Sequence, residues 1–361
     1  MKKIASFLLI YVLFISFNAF ATEICDNGIS FSNGGTYKHF TGTVTCKDEA
    51  TGKLTKKVIL KDGKRDGTCI YYDKNTGLVQ AEENYVNDKK DGVTKKYYPK
   101  TGKLQSEMTY SNDRTVGLSK SYYENGKLKY IGNRLDSAKQ DTSIRFNNKG
   151  QIISISCGPT SIIKDDNIWC GRNGRDGEVF LYDMKGQKIE KRAYLNLVPN
   201  GKWIRFHTNG KPAAETNYVN GKLDGKSTSF LENGILEKEI DYKDNSKIQA
   251  IEYYQNGSPK VKEVYNLPNR TTAITEYYDN GKPHVEGIYR YNRKEDSFYF
   301  QSFSYSPVGL IKEYYEDGIL AKESLYNDKS VLVSKKEYSK KGELISDEDY
   351  FPDGSRKAKR L

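Results

Sequence analysis

Glycines in turn-like contexts divide the chain into segments of nearly equal length. They fall at Gly52, Gly77, Gly102, Gly126, Gly150, Gly186, Gly210, Gly234, Gly257, Gly281, Gly318 and Gly342. Neighbouring glycines in this series are 23 to 25 residues apart, except across two gaps of 36 and 37 residues. A short internal period of this kind is typical of repeat proteins, in which each unit packs on its neighbours.

Aromatic side chains recur at fixed distances from these glycines. Four residues before nine of them stand Tyr122, Phe146, Tyr182, Phe206, Phe230, Tyr253, Tyr277, Tyr314 and Tyr338. Eight residues after nine of them stand Tyr85, Tyr110, Tyr194, Tyr218, Tyr242, Tyr265, Tyr289, Tyr326 and Tyr350. A mostly apolar position follows two residues after the glycine, and offsets of two and eight place side chains on one face of an extended strand. The pattern therefore predicts β-strands.

The glycine often follows Asn or Asp, as at Asn209-Gly210 and Asp317-Gly318. Such dipeptides tolerate positive φ and close two-residue hairpins. Each repeat is therefore expected to be one hairpin. The predicted fold class is all-β, an elongated ribbon of tandem β-hairpin repeats of about 24 residues.

The residue after the recurrent ring varies between repeats, whereas the ring itself hardly changes. A position that keeps one chemistry is expected to face the stacked core, and a variable one to face outward. At the variable position, Tyr123, Tyr254, Tyr278 and Tyr315 are candidate partner-binding residues. The two long gaps add Trp169, Phe298, Tyr299, Phe300 and Phe303. These are candidate anchors, since binding hot spots favour aromatic residues, or they close the sheet where the repeat is irregular.

Composition supports a thin repetitive fold. Only 36% of the residues are apolar, 29% are charged and 12% are aromatic. A single large core normally needs more apolar residues, and a disordered chain normally has fewer aromatic ones. Short units that each bury a little against their neighbours satisfy both observations.

The N-terminus has the three parts of a secretory signal peptide. Lys2 and Lys3 precede an apolar run, and an Ala-x-Ala end at Ala21 marks the expected cleavage site. A membrane anchor is the alternative, but the run is shorter than the roughly 20 residues that a spanning helix needs. Cleavage leaves residues 22–361 in the periplasm or outside the cell.

Five cysteines remain after cleavage, and export favours disulfides. We expect Cys25 to pair with Cys46 and Cys157 with Cys170. Cys69 is then an unpaired packing residue. A metal site is not indicated, because there is no CxxC spacing and the three histidines are far apart in sequence.

The segments Tyr-Tyr-Glu-Asn-Gly-Lys-Leu at 122–128 and Tyr-Tyr-Asp-Asn-Gly-Lys at 277–282 resemble the bacterial variant of the MORN repeat, as found in YwqK-type antitoxin-like proteins. The resemblance implies a stacked hairpin ribbon, with roles in scaffolding, phospholipid contact or antitoxin activity. The expected organisation lists a signal peptide (1–21), an N-terminal cap (22–42), repeats (43–354) with irregular insertions near 154–172 and 290–309, and a basic tail (355–361).

Catalytic chemistry is not expected. Phosphate-binding loops, nucleophile elbows and zinc-protease motifs are all missing from the sequence. Carboxylates recur five residues after seven glycines, but in similar settings, whereas a catalytic pair needs unlike ones. We interpret them as a soluble outer face on which Glu alternates with Lys. No catalytic residue, metal or cofactor is assigned.

A net charge of +11 and a basic tail suit an acidic protein partner or anionic phospholipid. Export argues against nucleic acid. The preferred hypothesis is an exported, non-enzymatic repeat protein that binds another protein, such as a periplasmic immunity or antitoxin-like protein that neutralises a toxin or effector. The alternative is an envelope scaffold on anionic phospholipid surfaces.

Overall fold

The computed structural model describes residues 23–31, 37–134, 140–293 and 303–359. The predicted signal peptide lies outside these ranges. The chain divides into two units, Met1–Asp141 and Thr142–Leu361. Both consist of antiparallel strands in which almost every strand pairs with the next one along the chain. The prediction of an all-β fold of tandem hairpins is confirmed.

The first unit contains eleven strands in its described part. They are β1 (Glu23–Cys25), β2 (Gly42–Asp48), β3 (Leu54–Lys61), β4 (Lys64–Arg65), β5 (Gly67–Tyr72), β6 (Val79–Val86), β7 (Lys89–Lys90), β8 (Gly92–Tyr97), β9 (Leu104–Ser111), β10 (Arg114–Tyr122) and β11 (Leu128–Arg134), with a 3-10 turn at Asp26–Gly28. The sheet order is β1-β2-β3-β5-β6-β8-β9-β10-β11, and the short β4 and β7 pair with β3 and β6.

The second unit starts within β12 and continues to β29. Its strands are β12 (Gln140–Phe146), β13 (Ile152–Ser156), β14 (Asp176–Tyr182), β15 (Lys188–Leu195), β16 (Val198–Pro199), β17 (Gly201–Phe206), β18 (Pro212–Val219), β19 (Lys222–Phe230), β20 (Leu236–Lys243), β21 (Ser246–Tyr253), β22 (Pro259–Asn266), β23 (Thr271–Tyr277), β24 (Pro283–Arg293), β25 (Phe303–Tyr314), β26 (Leu320–Tyr326), β27 (Leu332–Tyr338), β28 (Leu344–Tyr350) and β29 (Arg356–Lys359). Helix α1 (Asp166–Trp169) and a 3-10 turn at Arg172–Gly174 precede β14. Strands β14 to β29 form one sheet in chain order, with β16 paired to β15.

Two kinds of turn alternate along the repeats. At Asn209-Gly210 the loop has three residues, because the His207 amide donates to the Lys211 carbonyl at 2.8 Å, and Gly210 takes φ of 82°. The alternate turn has two residues: Val219 pairs with Lys222 across Asn220 and Gly221, both at positive φ. The prediction that the Asn-Gly pair after each ring closes a two-residue hairpin is wrong. A three-residue loop with a left-handed glycine takes its place.

A glycine lies opposite most of the tyrosines that follow a repeat glycine by eight residues. The cross-strand pairs are Tyr85 with Gly67, Tyr110 with Gly92, Tyr194 with Gly177, Tyr218 with Gly201, Tyr242 with Gly225 and Tyr326 with Gly309. The missing side chain on the glycine leaves room for the ring on that face. We call the face that carries these tyrosines the tyrosine face.

The N-terminal segment packs onto the tyrosine face of the first repeats. Ile29 joins the buried side chains of Val44, Val58 and Leu60, and Phe31, Tyr37 and Phe40 pack beside them. Cys69 is fully buried in this cluster and makes no disulfide. Its position is two residues after Gly67, so it faces the same side as Tyr85. The prediction of an unpaired packing residue is confirmed.

Both expected disulfides are present. Cys25 and Cys46 have Cα atoms 3.9 Å apart, and those of Cys157 and Cys170 are 5.6 Å apart. The second bond closes the first irregular insertion, which also holds a buried ion pair. Arg172 Nε lies 3.5 Å from a carboxylate oxygen of the fully buried Asp166. The disulfide and the ion pair thus hold this insertion together immediately before β14.

Candidate functional site

The tyrosines at the variable position hold neighbouring repeats together. The hydroxyls of Tyr254, Tyr278 and Tyr315 donate to the carbonyl oxygens of the recurrent rings Tyr277, Tyr314 and Tyr338, each at 2.8 Å. Tyr98 makes the same contact with Tyr122, and His207 Nε2 lies 2.8 Å from the Phe230 carbonyl oxygen. This position therefore does not simply face outward, as the sequence suggested. The polar end of each side chain bonds to the next repeat, and only the rings remain available for contact with a partner protein.

The other candidate partner-binding residues have different surroundings. The Lys129 ammonium lies 5.6 Å from the ring centroid of Tyr123. Trp169 is half-buried at the end of α1, next to the disulfide-bonded Cys170. Phe303 begins β25. Phe298, Tyr299 and Phe300 lie outside the described residues.

The recurrent rings on the opposite face donate to carboxylates of the preceding repeat. The pairs, with their oxygen–oxygen distances, are Tyr122 with Glu107 at 3.3 Å, Tyr253 with Glu239 at 2.9 Å, Tyr314 with Glu286 at 3.0 Å and Tyr338 with Glu323 at 2.9 Å. Burial, together with Glu82 and Glu239, raises the pKa of Tyr97 and Tyr253 to about 12. These tyrosines therefore stay protonated donors at neutral pH.

Lysines alternate with the same carboxylates across the strands. Lys312 lies opposite both Glu286 and Glu323, and Lys336 lies opposite both Glu323 and Asp347. The expected alternation of Glu with Lys is present here. We call the face that carries these residues the ladder face. Its carboxylates have repeated, similar partners, unlike a pair divided into an acid and a base.

The ladder face also carries an exposed apolar patch in the second unit. Ile248, Val264 and Leu267 are each 42% exposed, and Ile288 is 49% exposed. Val264 and Ile288 both lie opposite Ala273, so the three side chains form a continuous row. With Pro268 they border a hollow of about 520 Å³. Exposed apolar clusters of this kind mark interaction sites on soluble proteins.

Sequence reasoning overlooked this patch, although a signal was available. The position seven residues after the repeat glycine lies beside the tyrosine and points to the ladder face. Its occupants are Ile59, Asn84, Thr109, Asn133, Cys157, Ala193, Asn217, Asp241, Val264, Ile288, Leu325 and Asp349. Val264 and Ile288 are large apolar occupants in two successive repeats, and these are the repeats that carry the patch.

One group of possible metal ligands lies at the N-terminal disulfide. Glu23, Cys25 and Cys46 place possible ligand atoms within 4.8 Å of one another, but both sulfurs belong to a disulfide. Within the described ranges no helix has the length and apolar character needed to cross a membrane.

Solved structures offer only distant likenesses. The crystal structure of TcdB2-TccC3 is 15% identical over 87% of this chain and 18% of that chain, with a TM-score of 0.17. The Photorhabdus luminescens Tc holotoxin pore is 14% identical over 88% of this chain and 20% of that chain, with a TM-score of 0.13. A putative 6-phosphogluconolactonase from Bacteroides fragilis is 11% identical, covering 84% of this chain and 88% of that chain, with a TM-score of 0.13. At these TM-scores the likenesses carry no argument about function, and this chain spans about a fifth of the toxin chains.

No curated protein matches the chain. The MORN repeat variant family matches it five times, at residues 90–112, 115–136, 199–220, 223–244 and 307–328. Each match covers one repeat of paired strands described above. The chain is therefore a repeat protein that carries MORN repeat variants at these five positions.

Proposed function

We propose that this chain is an exported, non-enzymatic repeat protein that binds another protein, acting as a periplasmic immunity or antitoxin-like protein that neutralises a toxin. The observation that carries the proposal is the apolar patch around Val264 and Ile288. Four large apolar side chains lie together, each more than two-fifths exposed. Leaving them in water is unfavourable, and burying them against a partner removes that cost.

The surroundings of the patch suit a protein partner. Tyr residues, Glu–Lys pairs and apolar side chains share the ladder face, and protein interfaces combine an apolar centre with a polar rim in this way. Lys226 pairs with Glu239 at 3.1 Å, and Lys202 with Glu215 at 2.7 Å. Such exposed pairs add little stability but contribute to the orientation of a partner.

Export is supported by the two disulfides. Disulfides persist in oxidising compartments and are rare in the cytosol. Cys25–Cys46 and Cys157–Cys170 each fix a non-repeat segment to a sheet. A toxin that acts in the periplasm is the partner that this location favours.

The test compares three tagged proteins, each of which consists of residues 22–361. The wild type captures a stoichiometric protein from the envelope or secreted fraction of its source at moderate salt. Val264→Asp places a charge at the centre of the patch and should weaken capture at least tenfold, since central apolar contacts dominate interface energies. Ile345→Asp is the matched control, because Ile345 is 56% exposed and lies outside the patch.

The captured protein is then expressed in the periplasm with each variant. Growth inhibition relieved by the wild type and by Ile345→Asp, but not by Val264→Asp, supports the neutralising role. Equal capture by all three proteins contradicts the patch as the interface. A captured protein that does not inhibit growth contradicts the antitoxin role, and salt-sensitive recovery of anionic lipid in place of protein favours the scaffold alternative.

A further inference from the structure

Three aromatic rings pack in a row, tilted against one another, on the tyrosine face where β15, β17 and β18 pair. The ring centroids of Tyr194 and Trp203 are 5.6 Å apart, and those of Trp203 and Tyr218 are 4.8 Å apart. The indole N–H of Trp203 donates to the Ala193 carbonyl at 2.8 Å. The space between two successive tyrosines is therefore filled by an indole with a satisfied hydrogen bond.

One repeat later the same space has no indole. Trp203 lies two residues after Gly201, which is opposite Tyr218. Ser227 lies two residues after Gly225, which is opposite Tyr242. Ser227 thus occupies the Trp203 position, between Tyr218 and Tyr242. Replacing an indole by a hydroxymethyl group leaves a gap between the two tyrosines.

A hollow of about 310 Å³ lies at this position. Its lining includes Tyr218, Ser227, Lys238, Ile240 and Tyr242, and Ile240 lies directly opposite Ser227. All come from three adjacent strands, so the sheet forms the floor and the side away from the sheet is open. Volumes of this size are at the lower end of those that hold ligands.

The floor of the hollow carries an unused polar atom. Ser227 Oγ is buried and has no hydrogen-bond partner among the described residues. Buried hydroxyls without partners are uncommon in folded proteins and are costly. Lys238 lies at the wall and pairs with Glu252 at 2.6 Å, so its charge is already compensated. A flat aromatic ring complements the two tyrosines and the small side chain of Ser227 between them.

We propose that this hollow is a binding site for an aromatic side chain, with tryptophan as the best fit, presented by a segment of a partner protein. The occupant takes the place that Trp203 fills in the preceding repeat, between two tyrosines. Its open side favours a side chain carried by a peptide over a free small molecule, since a free ligand is buried from most directions in a typical pocket. The site lies on the tyrosine face, whereas the patch around Val264 lies on the ladder face. This proposal therefore does not depend on that patch.

The test uses two short peptides, acetyl-Gly-Trp-Gly-amide and acetyl-Gly-Ala-Gly-amide, titrated against the folded protein by saturation-transfer NMR. The Trp peptide should bind saturably with Kd on the order of 1 mM. The Ala peptide should show no saturable binding. Free indole should bind more weakly than the Trp peptide, and tighter binding of indole would overturn the choice of a peptide-borne side chain.

Two variants exchange the arrangement between neighbouring repeats. Ser227→Trp fills the hollow as Trp203 does one repeat earlier, and should weaken the Trp peptide at least tenfold. Trp203→Ser opens an equivalent hollow, and should increase the saturation-transfer signal of the Trp peptide at saturation. Ser227→Leu provides a second filled variant, should Ser227→Trp not fold. Unchanged binding to both filled variants, or no saturable binding to the wild type, would overturn the proposal.

Discussion

The hydrogen bonds between successive repeats give a prediction that the structure makes quantitative. Tyr278 donates through its hydroxyl to the Tyr314 carbonyl at 2.8 Å, and this carbonyl immediately precedes the loop closed by the Tyr315 amide and the Ile319 carbonyl. Tyr278→Phe removes the hydroxyl and keeps the ring. The change therefore isolates one hydrogen bond between repeats.

The expected cost is about 0.5 to 1.5 kcal/mol, the net value of one hydrogen bond in a folded protein. Since 1.4 kcal/mol corresponds to a factor of ten, local opening of the loop should become roughly 2 to 12 times more frequent. Amide hydrogen exchange of Gly318 and the Ile319 segment measures this opening directly. A global melt is less informative, because a repeat array need not unfold in one step.

Tyr326→Phe is the matched control. Its hydroxyl makes no hydrogen bond with another side chain or carbonyl in the described part of the chain, so its removal should leave exchange unchanged within a factor of two. Tyr254→Phe and Tyr315→Phe should repeat the effect of Tyr278→Phe at their own loops. The reasoning is refuted when Tyr278→Phe exchanges no faster at residues 318–319 than Tyr326→Phe does.

Three further results are expected. Replacing Cys157 and Cys170 together by Ser should cost about 3 kcal/mol from the short loop that they close, and thermal unfolding of this variant beside the wild type, both without reductant so that Cys25–Cys46 stays intact, measures the loss; equal stability contradicts the estimate. The folded-state pKa of Tyr97 and Tyr253 is raised to about 12 by burial and neighbouring carboxylates, so their stabilising contribution is full below pH 10 and is lost as the pH rises through 12. Absorbance titration at alkaline pH should therefore show a class of tyrosines that ionises well above pH 10. A single class of tyrosines near pH 10 contradicts the assignment. Leu60→Ala should destabilise the first unit by about 2 to 5 kcal/mol, because Leu60 is 2% exposed in the N-terminal cluster, and denaturant unfolding that leaves it within 1 kcal/mol of wild type contradicts its core position.

The position after the recurrent ring shows where sequence reasoning stopped. Variation from Tyr to His to Asn at this position suggested an outward side chain. Tyr254, His207 and Asn147 instead all reach the backbone of the following repeat. Tyr254 and His207 bond to the carbonyl of the recurrent ring and Asn147 to the carbonyl one residue later, since hydroxyl, imidazole and amide groups all offer a donor. Variation at a position is therefore a weak guide to its exposure in a stacked repeat.

The sequence alone determined the period, the strands and the partners of the cysteines. These follow from local rules: alternation along a strand, the tolerance of glycine for positive φ, and the expectation that an exported chain pairs its cysteines. Cys69 could also be assigned as the unpaired cysteine, because it was left over once the other four were paired. All of these features depend on residues close together in the chain or in equivalent places of adjacent repeats.

Only the tertiary structure decided what the two faces do. The turn types, the hydrogen bonds between repeats, the patch at Val264 and the hollow at Ser227 depend on which residues meet across strands. Cross-strand register is set by loop length and by bulges such as the one between Thr216 and Tyr218. A shift of one residue moves every side chain to the opposite face, so repeat spacing alone does not assign a function to either face.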